Sequence, residues 1–454
     1  VTLVAPRTRA DLALPTDVPL ADLQPVLLRY AGEELADEGL VGGGWVLARL
    51  GGAVLDSSKT VEQLGIRDGE QLYLTARNAA APDVVFDDVV DAVATANLER
   101  GSRWRGVDTR RFGMWVAVGA LLAGVVALGW AGAPRGVAGA AGLGVGVVLL
   151  VVAAVLSRAV GDSSAGAVLG VLAVVYGAAG GALLLVGRAG VSGVRAPQVL
   201  VGGAVLVLFA VLAALAVADY PHVFVGAVVC GVALVIAAAV CVTAGVGAAA
   251  GGAVVVCLAL GSTPVLPSVA FRLARLPVPA VPTGPEELRT DRETVDGARV
   301  LARSQAADRY LTGLLGATAV VGLGAEVALA FGGAGWPRVA LLAALALVLL
   351  TRARTFSTVT QRVPLMVAGA VGLGLLAAVL FRTGGELVRL GGVLPALVAV
   401  AAVAMGYGLA MAGKRVSPVW SRALDIVEVL LIVAVVPLAM WVCGLYGWIR
   451  AIKG

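Results

Sequence analysis

Histidine occurs once in this 454-residue chain, at His222, and lysine only three times. A lone imidazole without a neighbouring Ser, Cys or second ligand builds neither a nucleophilic triad nor a metal site, so His222 in the ADYPHV turn (218–223) reads as an ordinary loop residue. Cysteine is nearly as scarce. Cys230, Cys241, Cys257 and Cys443 all lie inside apolar runs without metal-type spacing, which makes them packing residues and excludes a disulfide framework. The broadest shortage is charge, at 14% of residues against 59% hydrophobic and a mean hydropathy of +0.96. Soluble domains carry about 25% charged residues, so most of this chain faces lipid or other buried helices. A nucleotide loop is missing too. GLAMAGKR (408–415) offers Gly-x4-Gly-Lys, but Arg415 stands where a magnesium-binding hydroxyl belongs, and the stretch closes an apolar helix instead of following a strand. Any ATP-driven work therefore falls to a partner.

The charge that is present is unevenly placed. Residues 1–99 hold 16 acids against 7 bases, whereas the remainder holds 13 acids against 27 bases. An acidic head thus precedes a basic membrane part. The basic residues are dispersed over loops and form no stripe, which excludes nucleic acid as a partner. No cleavable signal peptide is visible, and because the chain opens on Val1 and not on Met a leader ahead of it is expected. No residue set points to a catalytic centre, a cofactor, a metal or a small-molecule substrate.

Residues 1–78 read as a soluble α+β module. VTLVA (1–5) and ADLAL (10–14) form a hairpin of strands, and LADLQPVLLRYAG (20–32) places Leu20, Leu23, Val26, Leu27 and Tyr30 on one helical face. WVLARL (45–50) and AVL (53–55) give two more strands, a short helix spans Val61–Leu64, and QLYLTA (71–76) alternates as a closing half-buried strand. This order, ending in Leu64-Gly65-Ile66 and Asp68-Gly69, resembles the ubiquitin or β-grasp fold. Conjugation chemistry is absent, because Arg77-Asn78 runs on into the chain where a tag would end in a free Gly-Gly. The head is expected to dock partners.

Residues 79–111 form a linker, with an amphipathic helix marked by Val85, Val89 and Val93. Arg103, Trp104, Arg105, Arg110 and Arg111 follow, immediately before the first apolar run. That combination suits a juxtamembrane anchor on an anionic leaflet.

A hydrocarbon core of ~30 Å takes about 20 helical residues. Residues 112–454 supply eleven candidate spans: 112–131, 136–157, 165–187, 198–218, 223–244, 246–268, 311–332, 336–351, 363–381, 391–412 and 424–448. The eighth is marginal, apolar only over Val339–Leu350. It is kept because, with the head inside, the inner segments carry 19 Lys/Arg and the outer ones 8. This reading puts the loop 269–310 and the N-terminal domain in the cytoplasm and the C-terminus in the periplasm, in a plasma-membrane protein. Gly166/Gly170, Gly177/Gly181 and Gly247/Gly251 are spaced for close helix approach. Glu326 is the only acid well inside a span. Asp425 and Glu428, at the inner end of the last span, are expected to pair with Arg422 or with a partner chain, so these four are the candidate interface or structural charges. The loop 263–316 is Pro-rich first, then helical and charged, its arginines and acids interspersed as an interaction surface or solvated lid would have them.

The ubiquitin-like head closing with GIRDGEQLYL, the Arg/Trp approach to the first span, eleven spans, FRLARLPVPAVP (271–282) and SPVWSRALDIVEVLL (417–431) together resemble the EccD component of type VII (ESX) secretion systems of mycobacteria and related actinobacteria. The resemblance implies a non-enzymatic scaffold subunit, present as two EccD copies per protomer around a lipid-filled space. It also implies heads that engage the EccC ATPase and EccE, with EccB in the same assembly. A secondary transporter with a regulatory ubiquitin-like head is the alternative. It would need broken helices and polar groups at mid-membrane, for which Glu326 is the sole candidate.

Overall fold

The computed structural model describes residues 1–5, 8–31, 44–49, 54–77, 106–132, 134–186, 194–276, 297–333, 335–411 and 418–453. Two compact units emerge, Val1–Arg105 and Gly106–Gly454. The linker helix expected over residues 83–99, together with Arg103, Trp104, Arg105 and the Pro-rich stretch 277–296, lies outside the described residues.

The first unit is a four-stranded mixed sheet, β2-β1-β4-β3, carrying helix α1 (Leu20–Ala31). Strand β1 (Thr2–Val4) pairs antiparallel with β2 (Arg9–Asp11) and parallel with β4 (Gln71–Ala76), and β4 pairs antiparallel with β3 (Trp45–Arg49). Alternation decides what is buried: Leu72 and Leu74 of β4 point inward and meet Leu3, Leu20, Leu27, Trp45, Leu47 and Val61.

Three expectations for the head are corrected. The second strand stops at Asp11, short of Leu14. Among the described residues, the strand at 53–55 contracts to a bridge between Val54 and Ala48, backed by the Leu55 amide on the Leu47 carbonyl at 2.8 Å. The short helix at Val61–Leu64 is a hydrogen-bonded turn. Its start has helix chemistry: the Thr60 amide donates to Gln63 Oε1 at 3.2 Å and the Gln63 amide to Thr60 Oγ1 at 3.3 Å, a capping box. Gly65, at φ 61°, ends it before a second turn forms.

The second unit is all helix. Its helices are α2 (Gly106–Trp130), α3 (Arg135–Val155), α4 (Ser163–Leu184), α5 (Ala196–Ala216), α6 (Pro221–Ala244) and α7 (Ala248–Ser262). Then come α8 (Leu266–Leu273), α9 (Gly297–Phe331), α10 (Trp336–Ala353), α11 (Val359–Thr383), α12 (Leu394–Met411), α13 (Pro418–Val442) and α14 (Leu445–Lys453). A π turn, Leu156–Val160, extends α3, and Glu386–Val388 with a π turn at Arg389–Val393 leads into α12. Among the described residues, eleven helical stretches are long and apolar enough to cross a membrane, at the places the apolar runs predict.

Two apolar cores organise the bundle. Leu149, Leu172, Tyr176, Phe209 and Phe224 join α3 to α6, while Val256, Leu315, Leu345, Leu365 and Val435 join α7, α9, α10, α11 and α13. The marginal eighth span, α10, packs deeply into the second core: Leu341, Leu342, Leu345, Val348 and Leu349 are buried. Protein neighbours cover one side of it, while Leu347 stays exposed on another. Of the spaced glycines, Gly170 faces Phe224, Gly177 faces Phe209 and Gly251 the Ala237 carbonyl, whereas Gly247 caps α7 and faces open space. Helices α3 and α4 also approach closely, and a Cβ at Gly180 would lie 2.7 Å from the Leu143 amide nitrogen.

Three boundaries differ from expectation. Helix α9 begins at Gly297, so charged residues assigned to the loop 269–310 form its first turns. At 35 residues it is about 52 Å long, well beyond a ~30 Å hydrocarbon core. His222 lies in the first turn of α6, not in a loop. The last span, expected to run to residue 448, stops at Val442; Gly444 at φ 76° breaks the chain direction and α14 starts anew.

Candidate functional site

Because the spans alternate in direction, one end of the bundle receives the starts of α2, α4, α6, α9, α11 and α13 and the ends of α3, α5, α8 and α10. Among the described residues, most of the hydrogen-bonded or ion-paired charged side chains of this unit collect there. Asp162 is the N-cap of α4, accepting from the Ala165 amide at 3.1 Å and from Ser164 Oγ at 2.8 Å, and Arg110 of α2 pairs with its other oxygen. These donors, the Ala165 amide foremost, hold its carboxyl down at about 2. Arg158 donates through Nε to the Ala216 carbonyl at 3.0 Å, a cation placed where the α5 C-terminus exposes carbonyls. Gln361, buried at the start of α11, donates to Asp308 Oδ1 of α9 at 2.7 Å.

One group of ion pairs, with a buried carboxylate at its centre, clamps α10 to α13. Asp425 and Glu428 sit one turn apart on α13 and share a face. Glu428 Oε1 accepts from Arg352 Nη1 at 2.8 Å, its other oxygen lies 3.8 Å from Arg354 Nη2, and Arg354 also pairs with Asp425. Glu428 is only 5% exposed. Arg422, the expected partner, is exposed and makes no ion pair among the described residues. Arg422, six residues before Glu428, is turned about 120° around α13 from that buried acid, and the arginines that end α10 hold both carboxylates instead. Sequence reading missed Arg352 and Arg354. The available signal was that two arginines end the eighth span on the same side of the bundle as the two acids.

Glu326 is the other enclosed charge-bearing group. It sits on α9 with 0% exposure, and neither carboxylate oxygen has a hydrogen-bond partner among the described residues. Its carboxyl occupies the space above Gly372 of α11, which a Cβ there would overlap. Helix α9 passes through this level unbroken. Arg111 is exposed on α2. No group of three or more metal-type ligands occurs among the described residues.

The opposite end is tied differently. Ala-Gly-x-Pro-Arg occurs at 131–135 and again at 334–338. In both places the arginine, Arg135 or Arg338, reaches back six residues to the carbonyl of Gly129 or Gly332. Each starts a helix while capping the end of the one before it.

Residues 109–452 match the family model described as the EccD-like transmembrane domain, and residues 1–74 match that of the WXG100 protein secretion system protein YukD. The chain is 32% identical to the ESX-4 secretion system protein eccD4 of Mycobacterium tuberculosis, strains CDC 1551 and H37Rv, over 99% of this chain and 96% of that protein. Its fold resembles protomer 1 of the ESX-3 core complex, with TM-score 0.60 at 20% identity over 98% of this chain and 99% of that one. It also resembles a chain of the MycP5-free ESX-5 inner membrane complex, with TM-score 0.56 at 20% identity over 91% and 99%.

Proposed function

The chain belongs to the EccD family of type VII (ESX) secretion membrane subunits, and from that premise we propose that it is a non-enzymatic scaffold whose ubiquitin-like head docks the cytosolic parts of the machine. The observation that carries this reading is the location of the polar groups. Ion pairs and caps sit at the ends of the spans, where they fix helix to helix, and the interior carboxyl of Glu326 is enclosed by packing. A bundle wired in this way holds a shape, and the energy for export comes from an ATPase partner. In this reading the head engages EccC and EccE, EccB joins the assembly, and a second EccD copy pairs with this one around lipid. The head is cytoplasmic and the C-terminus periplasmic, supported by the 19-to-8 excess of Lys/Arg on the inner side.

The test is a secretion complex purified with residues 1–78 of this subunit deleted. Loss of the ATPase subunit with the remaining membrane subunits still associated is the expected result. Retention of the ATPase at wild-type stoichiometry overturns the docking role. Glu326 is the one observation that favours the secondary-transporter reading. Secretion that survives Glu326→Gln supports the scaffold, whereas an assembled complex that no longer secretes supports transport chemistry at that carboxyl.

A further inference from the structure

The helix after the last span matches no need of a spanning segment. Helix α13 ends at Val442, its span already complete, and Gly444 in the left-handed region turns the chain before α14 begins. The turn brings Tyr446 back against Trp441, ring centroids 5.7 Å apart, and Trp441 packs edge-on against Trp336 at the start of α10, at 4.9 Å. An aromatic ladder thus marks the level at which two spans leave the hydrocarbon, where such rings settle at a bilayer surface.

Along α14, Leu445, Trp448, Ile449 and Ile452 recur at i, i+3, i+4 and i+7, which places them within one arc of the helix. They are exposed in the folded chain, Trp448 at 63% and Ile452 at 64%. Arg450 lies outside that arc and makes no ion pair among the described residues. A nine-residue helix is shorter than the ~12–15 residues that hold helical form in water unaided. Its apolar arc is also set one turn beyond a span end.

We propose that α14 is an interfacial helix, lying in the headgroup layer of the leaflet that α13 reaches, with Leu445, Trp448, Ile449 and Ile452 in the acyl boundary and Arg450 on anionic phospholipid phosphate. The occupant of the apolar face is therefore a lipid surface. Three observations select it: continuity with the α13 span, the Trp336–Trp441–Tyr446 ladder at the same level, and the cation beside the arc. The helix fixes the depth of α13, and through it the clamp at the far end.

Hydrogen–deuterium exchange of the full chain in nanodiscs tests this, comparing phosphatidylcholine alone with a mixture containing phosphatidylglycerol. The amides of residues 448–452 are expected to exchange at least about tenfold slower than an unstructured chain, because a marginal helix gains its stability from the surface. Protection is expected to be greater with phosphatidylglycerol, and Arg450→Gln to remove that gain, about fivefold for one cation near an anionic surface. The double variant Trp448→Asp/Ile452→Asp is expected to lose the protection while the α13 amides keep theirs, which separates loss of anchoring from loss of fold. Unprotected exchange in both nanodiscs, or protection indifferent to the double variant, overturns the proposal. Protection that appears only in the assembled secretion complex overturns it as well, by assigning the face to a protein.

Discussion

Glu428 and Asp162 show how differently a carboxylate serves this fold according to burial. Glu428 is almost fully enclosed between Arg352 and Arg354, so removing it takes from Arg352 its carboxylate partner at the end of α10, while Arg354 keeps Asp425. Glu428→Ala is expected to lower stability by about 3–5 kcal/mol, read as a lower thermal midpoint in detergent. Replacing both members of the pair, Glu428→Leu with Arg352→Met, is expected to recover most of that loss, since apolar side chains carry no uncompensated charge. Asp162 lies at the surface and acts through its cap. Its folded carboxyl titrates at about 2 against an ordinary 3.8, a depressed value. Its contribution is therefore fully present above 3.8 and is lost as pH falls toward about 2. Asn caps a helix as well as Asp but does not ionise. The difference in thermal midpoint between wild type and Asp162→Asn is thus expected to be flat at neutral pH and to shrink through that acid window.

At the scale of elements, the bundle depends on how closely helices approach. On α4, Gly180 faces the backbone of α3, where a Cβ would meet the Leu143 amide nitrogen at 2.7 Å and the Gly139 carbonyl oxygen at 2.8 Å. Backbone cannot step aside as a side chain can. Gly180→Ala is expected to cost about 1–3 kcal/mol, measured by thermal denaturation in detergent. Gly144→Ala on α3 faces open space and is expected to be neutral or slightly stabilising. Which of 61 glycines sits at a crossing could not be read from spacing, because four-residue pairs recur by chance in so Gly-rich a chain. The spans themselves were legible, since about 20 apolar residues in a row have few alternatives in a membrane protein. Their ends were less so. The first turns of α9 carry Arg299, Arg303, Asp308 and Arg309, so hydropathy starts the span at 311, although the charged stretch before it reads as helical and proves continuous with it. The break at Gly444 was hidden by Trp441, Leu445 and Trp448, which prolong the apolar run although they belong to two helices.

For the whole molecule, the division into a β-grasp head and a helical bundle was legible because each obeys one period throughout, alternation in β4 and long apolar runs beyond residue 112. The ion pairs that join distant spans were not. Arg352 and Glu428 are 76 residues apart, and sequence carries no record of which helix lies beside which. Orientation is a whole-molecule property open to direct measurement. A fluorescent protein fused ahead of Val1 is expected to be bright, and alkaline phosphatase fused after Gly454 active, the opposite pattern reversing the assignment. A mechanical consequence follows from α9. It is one unbroken rod, gripped where Gly313 presses on the His222 carbonyl of α6. No side chain fits between residue 313 and that carbonyl, so α9 and α6 cross backbone to backbone, and any residue larger than glycine there would push the long helix off its neighbour along with the buried Glu326 it carries.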